Sequence, residues 1–182
     1  MAIYVSLLRG INVGGHNRIK MDKLRQSFEA LGFEQVKTFI QSGNVVFKSA
    51  KTSPSTLSRR IEAKILTDFD FSASVVSRSA EELGSAIENN PFLKEPEIDA
   101  AKLHVTFLSA VPDPSALKKL AELTVAPDKS CCIGKELYLY LPNGVSGSEL
   151  MKRPLDRVLS VVTTTRNWRT VNSLHQICQD CR

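Results

Sequence analysis

The residues best suited to binding chemistry lie in a glycine-containing segment near the start of the chain, Arg9-Gly10-x-Asn12-x-Gly14-Gly15. Glycine lets the backbone adopt positive φ and approach a ligand closely. Successive N–H groups in such a loop can form a concave anion site, and the Arg9 guanidinium can bind a phosphate or carboxylate through two hydrogen bonds. The glycine spacing is neither that of a dinucleotide-binding loop nor that of a P-loop. We predict an anion-binding loop; the alternative is a connector in which Arg9 pairs with a local carboxylate.

Two other polar segments are candidates for the same chemistry. Gln41-Ser42-Gly43-Asn44 has the composition of a tight hairpin turn, and its amide side chains can both donate to and accept from a base, a sugar or an amide. Thr165-Arg166-Asn167-Trp168 combines a cation with a helix N-cap residue and an aromatic ring. Arg166 is the predicted contact of this second segment, and Trp168 is predicted to belong to the core. The full predicted ligand-binding set is Arg9, Asn12, Gly14, Gly15, Lys20, Gln41, Ser42, Asn44, Ser148, Arg166 and Asn167.

Catalytic and metal-binding patterns are weak by comparison. The sequence contains neither G-x-S-x-G nor H-E-x-x-H. His104 alternates with apolar residues along a strand and is predicted to be structural, whereas His16 lies in the glycine loop and can serve as an acid or base. Cys178-x-x-Cys181 has metal-ligand spacing, but the other two cysteines, Cys131 and Cys132, are adjacent. We therefore predict no catalytic residue, no metal ligand and no cofactor.

Charge is distributed unevenly along the 182 residues, whose formal net charge is +5. Two segments, 9–25 and 152–169, each carry five basic residues and one acid, and they flank an acidic stretch at 81–99. This pattern indicates an anionic ligand, with solvated helix faces as the alternative. No apolar run approaches the roughly 18 residues that a membrane helix requires. The start of the chain is typical of a first strand rather than of a signal peptide, so we expect a cytoplasmic protein without a membrane partner.

The hydrophobic periodicity predicts an α+β fold in which each half repeats the order βαββαβα. Strands are predicted at 2–8, 33–41, 45–49, 71–77, 103–109, 129–133, 137–141 and 161–165, and an interrupted helix at 146–159. Val5–Leu8 matches Val105–Leu108, and Val75–Ser79 matches Val161–Thr165. We predict two ferredoxin-like domains (split βαβ, alpha-beta plait) in tandem, at residues 1–90 and 102–182 with a linker at 91–101. A single mixed-sheet domain is the alternative.

This topology places the predicted polar segments in pairs. Right-handed crossovers make the first two strands of each half parallel, so the loop 9–20 and the turn 41–44 fall on one sheet edge. The turn 142–148 and the end of the last strand, 165–167, likewise share an edge of the second sheet. The sequence therefore predicts a polar site at each of these two edges.

The same segments carry a resemblance to a bacterial family, the domain-of-unknown-function family 1697. The matching runs are Leu8-Arg9-Gly10-Ile11-Asn12-Val13-Gly14-Gly15, Gln41-Ser42-Gly43-Asn44-Val45-Val46-Phe47, Asn90-Pro91-Phe92, Leu137-Tyr138-Leu139 and Thr165-Arg166-Asn167-Trp168. The resemblance implies two ferredoxin-like halves and supplies no activity. The family usually has Ser-Lys-Leu where this chain has Ser148-Glu149-Leu150, which replaces a positive charge by a negative one near a predicted anion contact.

The function predicted from the sequence is a module that binds a small phosphate-bearing or nucleotide-like ligand. An enzyme that acts on such a ligand through His16 or another polar group of the loop is the first alternative. A nucleic-acid-binding protein that uses both basic segments is the second, although the strand aromatics lack the pattern of RNA-binding plaits. Saturable binding of one small anion would favour the binding module, and turnover would favour the enzyme. Binding to polynucleotides that weakens steeply with salt would favour the nucleic-acid-binding protein.

The cysteine spacing gives a direct test for a metal site. We expect no stoichiometric zinc in the purified protein, because adjacent residues on a strand point to opposite faces and cannot complete a tetrahedral site with Cys178 and Cys181. Elemental analysis of the purified protein measures this. About one zinc ion per chain would contradict the prediction.

Overall fold

The computed structural model describes residues 1–181 and divides them into two compact units. The first comprises Met1–Ser85 and residues 173–181, and the second comprises Ala86–Asn172. These limits differ from the domains expected from the sequence. The expected linker contains two short 3-10 helices, Pro91–Lys94 and Ala100–Lys102, and falls within the second unit. None of the helices in residues 1–181 has the length and apolarity needed to cross a membrane.

The first unit is built on a four-stranded antiparallel sheet in the order β2-β3-β1-β4. Two helices connect its strands, and a third follows the last strand. The elements are β1 (Ala2–Leu8), α1 (Met21–Ala30), β2 (Glu34–Phe39), β3 (Asn44–Ser49), α2 (Pro54–Phe69), β4 (Val75–Ser79) and α3 (Ala80–Glu88). The predicted strand at 71–77 therefore begins four residues later than expected, because residues 71–74 approach the sheet as an irregular segment.

Local sequence signals explain the helices of this unit. In α2, Ser53 caps the first turn by accepting a hydrogen bond from Thr56 N at 3.2 Å, and Pro54 occupies the first helical position. Residues Leu57, Ile61 and Ile65 follow at helical spacing and are completely buried. They pack in the same core as the aromatic rings of Tyr4, Phe28, Phe33 and Phe47. The tightest ring pair, Phe33 and Phe47, stacks with centroids 4.4 Å apart.

The second unit contains the corresponding sheet in the order β6-β7-β5-β8, again antiparallel. Its elements are β5 (Leu103–Leu108), α4 (Pro114–Leu123), β6 (Lys129–Ile133), β7 (Glu136–Tyr140), α5 (Gly144–Gly147), α6 (Leu155–Leu159), β8 (Thr163–Asn167) and the start of α7 (Trp168–Gln179). The interrupted helix predicted at 146–159 is instead two separate short helices. Proline fixes φ and removes a backbone donor, and Pro154 directly precedes α6.

The central strand of each sheet is buried on both faces. Tyr4 and Leu8 of β1 belong to the core formed with α1 and α2, yet Val5, on the opposite face, is also fully buried. Val105 and Leu108 of β5, which also point to opposite faces, are likewise completely buried. Antiparallel sheets commonly leave one face in water, whereas β1 and β5 are buried on both faces.

The two sheets use the same register at their last strands. Ser6 Oγ lies 2.7 Å from Ser77 Oγ, and Thr106 Oγ1 lies 2.7 Å from Thr165 Oγ1. The next residue of each last strand is an arginine, Arg78 or Arg166. The residues that correspond are therefore Val75–Ser79 and Thr163–Asn167, and the match to Val161–Thr165 drawn from the sequence is wrong by two residues. The Val-Val pair that suggested it precedes β8.

The glycine of the β2–β3 turn gives the test of this packing. A Cβ on Gly43 would lie 2.8 Å from Leu8 Cβ, whereas at Gly32, which also has positive φ, it would meet nothing within 4 Å. Both Gly→Ala variants incur the left-handed strain of roughly 1–2 kcal/mol. Gly43→Ala adds an overpacking cost of about 1–3 kcal/mol. We expect chemical denaturation to show a larger loss for Gly43→Ala; equal losses would contradict the close approach.

Candidate functional site

The first sheet edge brings together the two segments that the topology predicted to meet there. Leu8 N donates to Gly43 O at 2.8 Å, which joins the end of β1 to the β2–β3 turn. Asn44 is completely buried, and its Nδ2 donates to Phe39 O at 3.1 Å and to Ser42 Oγ at 2.8 Å. Asn12 Nδ2, from loop 9–20, donates to Gln41 O at 2.9 Å, which confirms the predicted proximity of this loop and turn 41–44.

The glycine pair of the first loop forms a tight turn. Gly14 and Gly15 have φ of +60° and +80°, and His16 N donates to Val13 O at 3.1 Å across them. Positive φ at both central positions is the signature of a type I′ hairpin turn. An antiparallel bridge between Val13 and His16 flanks these two glycines, which therefore form the tip of a small hairpin. His16 is exposed on that hairpin.

Asn12 holds the loop in place. Its Nδ2 donates to Ile19 O at 3.0 Å and to Gln41 O at 2.9 Å, and its Oδ1 accepts from Ile19 N at 2.8 Å. The residue adopts φ +55°, a left-handed conformation that asparagine tolerates better than most residues. Asn12 therefore ties both ends of the loop to the β2–β3 turn, and both of its amide hydrogens are used within the protein.

A concavity of about 550 Å³ lies beside this clamp. The residues that line it are Asn12, Gly15, Arg18, Ile19, Lys20, Met21 and Gln41. Four of them, Asn12, Gly15, Lys20 and Gln41, belong to the set predicted from the sequence. Arg18 was not predicted, although its position in the basic segment 9–25 could have indicated a role in anion binding.

The concavity has a positive electrostatic character. Arg18 and Lys20 are exposed, and neither side chain has a hydrogen-bond or ion-pair partner among residues 1–181. Helix α1 begins at the concavity, and the side chain of its N-cap residue Lys20 does not cap the helix. Within the described part of the chain, no group accepts a hydrogen bond from the N–H of Met21 or Asp22. Two cations and the positive end of a helix dipole therefore face the same space.

The other predicted residues of the first unit lie outside this lining. Arg9 is exposed, and its backbone N–H donates to Ser74 O at 2.9 Å. Gly14 lies at the hairpin tip, while Ser42 and Asn44 stabilise the β2–β3 turn. These residues belong to the edge of the sheet. The arginine that lines the concavity is Arg18 and not, as predicted, Arg9.

The predicted residues of the second unit have structural roles or lie elsewhere. Ser148 is completely buried, and its Oγ accepts from Met151 N at 3.1 Å. Arg166 donates from Nη1 to Thr164 Oγ1 and to Thr165 O, each at 2.9 Å, and burial lowers its pKa to about 10. Asn167 caps α7 by accepting from Thr170 N at 2.8 Å, and it lines a second concavity.

Metal-ligating side chains do not cluster within residues 1–181: no three His, Cys, Asp or Glu groups are placed to hold an ion. None of the four cysteines forms a disulfide. Burial raises the pKa of the Cys132 thiol to about 11, which disfavours the thiolate that binds metals. The predicted absence of a bound metal remains a prediction.

The clamp formed by Asn12 is tested against a matched asparagine. Asn12→Gly keeps the left-handed backbone accessible but removes three hydrogen bonds, each contributing about 0.5–1.5 kcal/mol. Asn17, at φ +49° in the same loop, makes one side-chain bond, to Gly10 O. We expect Asn12→Gly to lower the free energy of unfolding by roughly three times as much as Asn17→Gly. Equal losses in chemical denaturation would show that Asn12 does not hold the edge together.

Comparison with known proteins places the chain in a family. Its residues 1–138 match the family model described as "Protein of unknown function (DUF1697)"; the run Thr165–Trp168 lies beyond the matched region. The chain is similar to the solved structure of the conserved bacterial protein SP0830 from Streptococcus pneumoniae, with 27% identity, a TM-score of 0.76, and coverage of 97% of this chain and 98% of that one. No curated protein matches it. The chain belongs to the DUF1697 family.

Proposed function

We propose that the protein is a binding module for a small phosphate-bearing or nucleotide-like molecule, held in the concavity beside α1. One observation carries the proposal: Arg18, Lys20 and the uncapped start of α1 border the same space of about 550 Å³. Helix N-termini that present free N–H groups favour anions. An anion bound there would gain hydrogen bonds to N–H groups that no described residue uses.

The remaining walls favour a ligand larger than a simple ion. Gln41 is exposed, and its side-chain amide has no partner among residues 1–181, so it can donate to and accept from a base or sugar. Met21 and Ile19 provide apolar surface. A volume of about 550 Å³ falls in the range of small-molecule sites, roughly 300–1,000 Å³. These dimensions suit one nucleotide-sized molecule better than a polynucleotide chain.

We also propose that each half of the chain is a ferredoxin-like plait, and that residues 1–90 and 102–182 arose by tandem duplication around the connector 91–101. The two strand orders, β2-β3-β1-β4 and β6-β7-β5-β8, and the shared register at Arg78 and Arg166 support this assignment. None of the four cysteines forms a disulfide, which is typical of proteins in a reducing compartment, and we propose the cytoplasm.

The proposed site is tested with pyrophosphate and ADP as probes in a thermal-shift titration. We expect saturable stabilisation of the wild-type protein by at least one probe. The double variant Arg18→Ala/Lys20→Ala should bind that probe roughly tenfold to a hundredfold more weakly, because hydrogen bonds to charged groups are lost.

The matched control is Lys23→Ala/Arg25→Ala. It removes the same charge from exposed positions on α1 that do not line the concavity. It should weaken binding far less than Arg18→Ala/Lys20→Ala, because no direct contact is lost and salt screens the remaining attraction between exposed charges. Equal weakening by both double variants would indicate that the anion binds to a diffuse basic surface and not to the concavity. Failure of both probes to stabilise the wild-type protein would contradict the proposal.

A further inference from the structure

A second concavity, of about 510 Å³, lies entirely within the second unit. It is bordered by the residues just before and at the start of β5, by α5, and by the first turn of α7. This is the sheet edge at which the topology predicted the turn 142–148 and the end of the last strand to meet. The residues that carry the inference are Lys102, His104, Val145, Asn167, Trp168 and Arg169.

One wall of the second concavity is aromatic and apolar. Trp168, predicted from the sequence to be a core residue, is only half-buried and lines this space. Its indole N–H has no acceptor within the described residues. Val145 is 45% exposed and borders the same space. An indole face beside an aliphatic side chain is a suitable surface for a planar ring, which can stack at an offset on the indole.

Hydrogen-bond donors occupy the rest of the rim. Lys102 and Arg169 line the concavity, and within residues 1–181 neither side chain has an acceptor or ion-pair partner. Asn167 uses its Oδ1 to cap α7, which leaves its Nδ2 without a described partner. No carboxylate belongs to the lining, and the nearby Asp99 accepts from Ala101 N at 2.9 Å. The rim therefore offers donors and positive charge to an anionic group.

His104 contributes an acceptor to the same space. Its Nδ1 lies 3.2 Å from Lys102 O, and because a carbonyl oxygen can only accept, Nδ1 carries the hydrogen. In the neutral ring Nε2 then has a lone pair, with no donor to it in the described part of the chain. Burial lowers the pKa of His104 below its usual value, which favours the neutral form at pH 7.

We propose that this concavity binds a planar aromatic molecule that carries one phosphate or carboxylate group. The ring packs against Trp168, the anionic group binds Lys102 and Arg169, and an N–H or O–H of the ring donates to His104 Nε2. All contributing residues belong to the second unit, so the site does not depend on the one proposed beside α1.

Trp168 is the only tryptophan of the chain, so its fluorescence reports directly on this concavity. AMP and 4-hydroxybenzoate combine a ring with an anion and represent the phosphate and carboxylate forms. Adenosine has the ring alone, and ribose 5-phosphate has the anion alone. We expect saturable quenching by AMP or by 4-hydroxybenzoate, with a Kd at least about tenfold lower than that of adenosine or ribose 5-phosphate. Absence of saturable quenching by both, or a single-feature probe that binds as well as they do, would overturn the proposal.

Variants that retain Trp168 test whether Lys102 and Arg169 bind the anionic group of the ligand. Lys102→Gln and Arg169→Gln should each weaken binding of the active probe by roughly tenfold or more, with thermal stability unchanged. Arg157→Gln, an exposed arginine of α6 outside the lining, should bind like wild type. The variant Arg18→Ala/Lys20→Ala should also retain the quenching, which separates this site from the one beside α1. Weakening by Arg157→Gln equal to that by Arg169→Gln would contradict the assigned site.

Discussion

The side-chain amide of Asn12 is the interaction on which the candidate site beside α1 depends. It bonds to both the N–H and the C=O of Ile19 and, at the same time, to Gln41 O. Loop 9–20 has little regular structure of its own, and burial of Ile11 and Ile19 in the core anchors it near both ends. The Asn12 amide adds the direct bonds to the β2–β3 turn and so helps to fix the positions of Arg18, Lys20 and the first turn of α1. Gly43 complements the clamp, because its lack of a Cβ lets the turn approach Leu8 and Ile11.

Burial and internal hydrogen bonds distinguish the structural arginines of this fold from the arginines that are candidates for ligand binding. Arg78 is almost completely buried, and its Nη1 donates to Ser77 O at 2.9 Å. Arg166, at the equivalent register position, is bonded to Thr164 and Thr165. A buried cation needs such bonds because desolvation is costly. Arg18 and Arg169 are exposed and have no partner among residues 1–181, so they retain their bonding capacity for a ligand.

The sequence predicted the architecture better than the individual contacts. The predicted limits of β1 and β6 and the predicted starts of α1 and α2 agree with the observed ones, because apolar spacing and, at α2, the Ser53 cap are local signals. The meeting of loop 9–20 with turn 41–44 also followed from strand order alone. The sequence did not predict which polar side chains are buried: Asn44 and Ser148 were predicted as ligand contacts, and both are fully buried. Whether a polar side chain bonds to a backbone group or to a ligand depends on tertiary packing, which a residue type and its neighbours do not specify.

A ¹H–¹⁵N NMR titration of the protein with pyrophosphate tests whether an anion binds beside the start of α1. We expect the backbone amide signals of Gly15, Lys20, Met21 and Asp22 to shift together along one saturable curve, because these residues line the concavity or form the first turn of α1. The signal of Gly134, in the β6–β7 turn of the second unit, should not move. Shifts spread over both basic segments, or none at Met21 and Asp22, would contradict binding of the anion at this site.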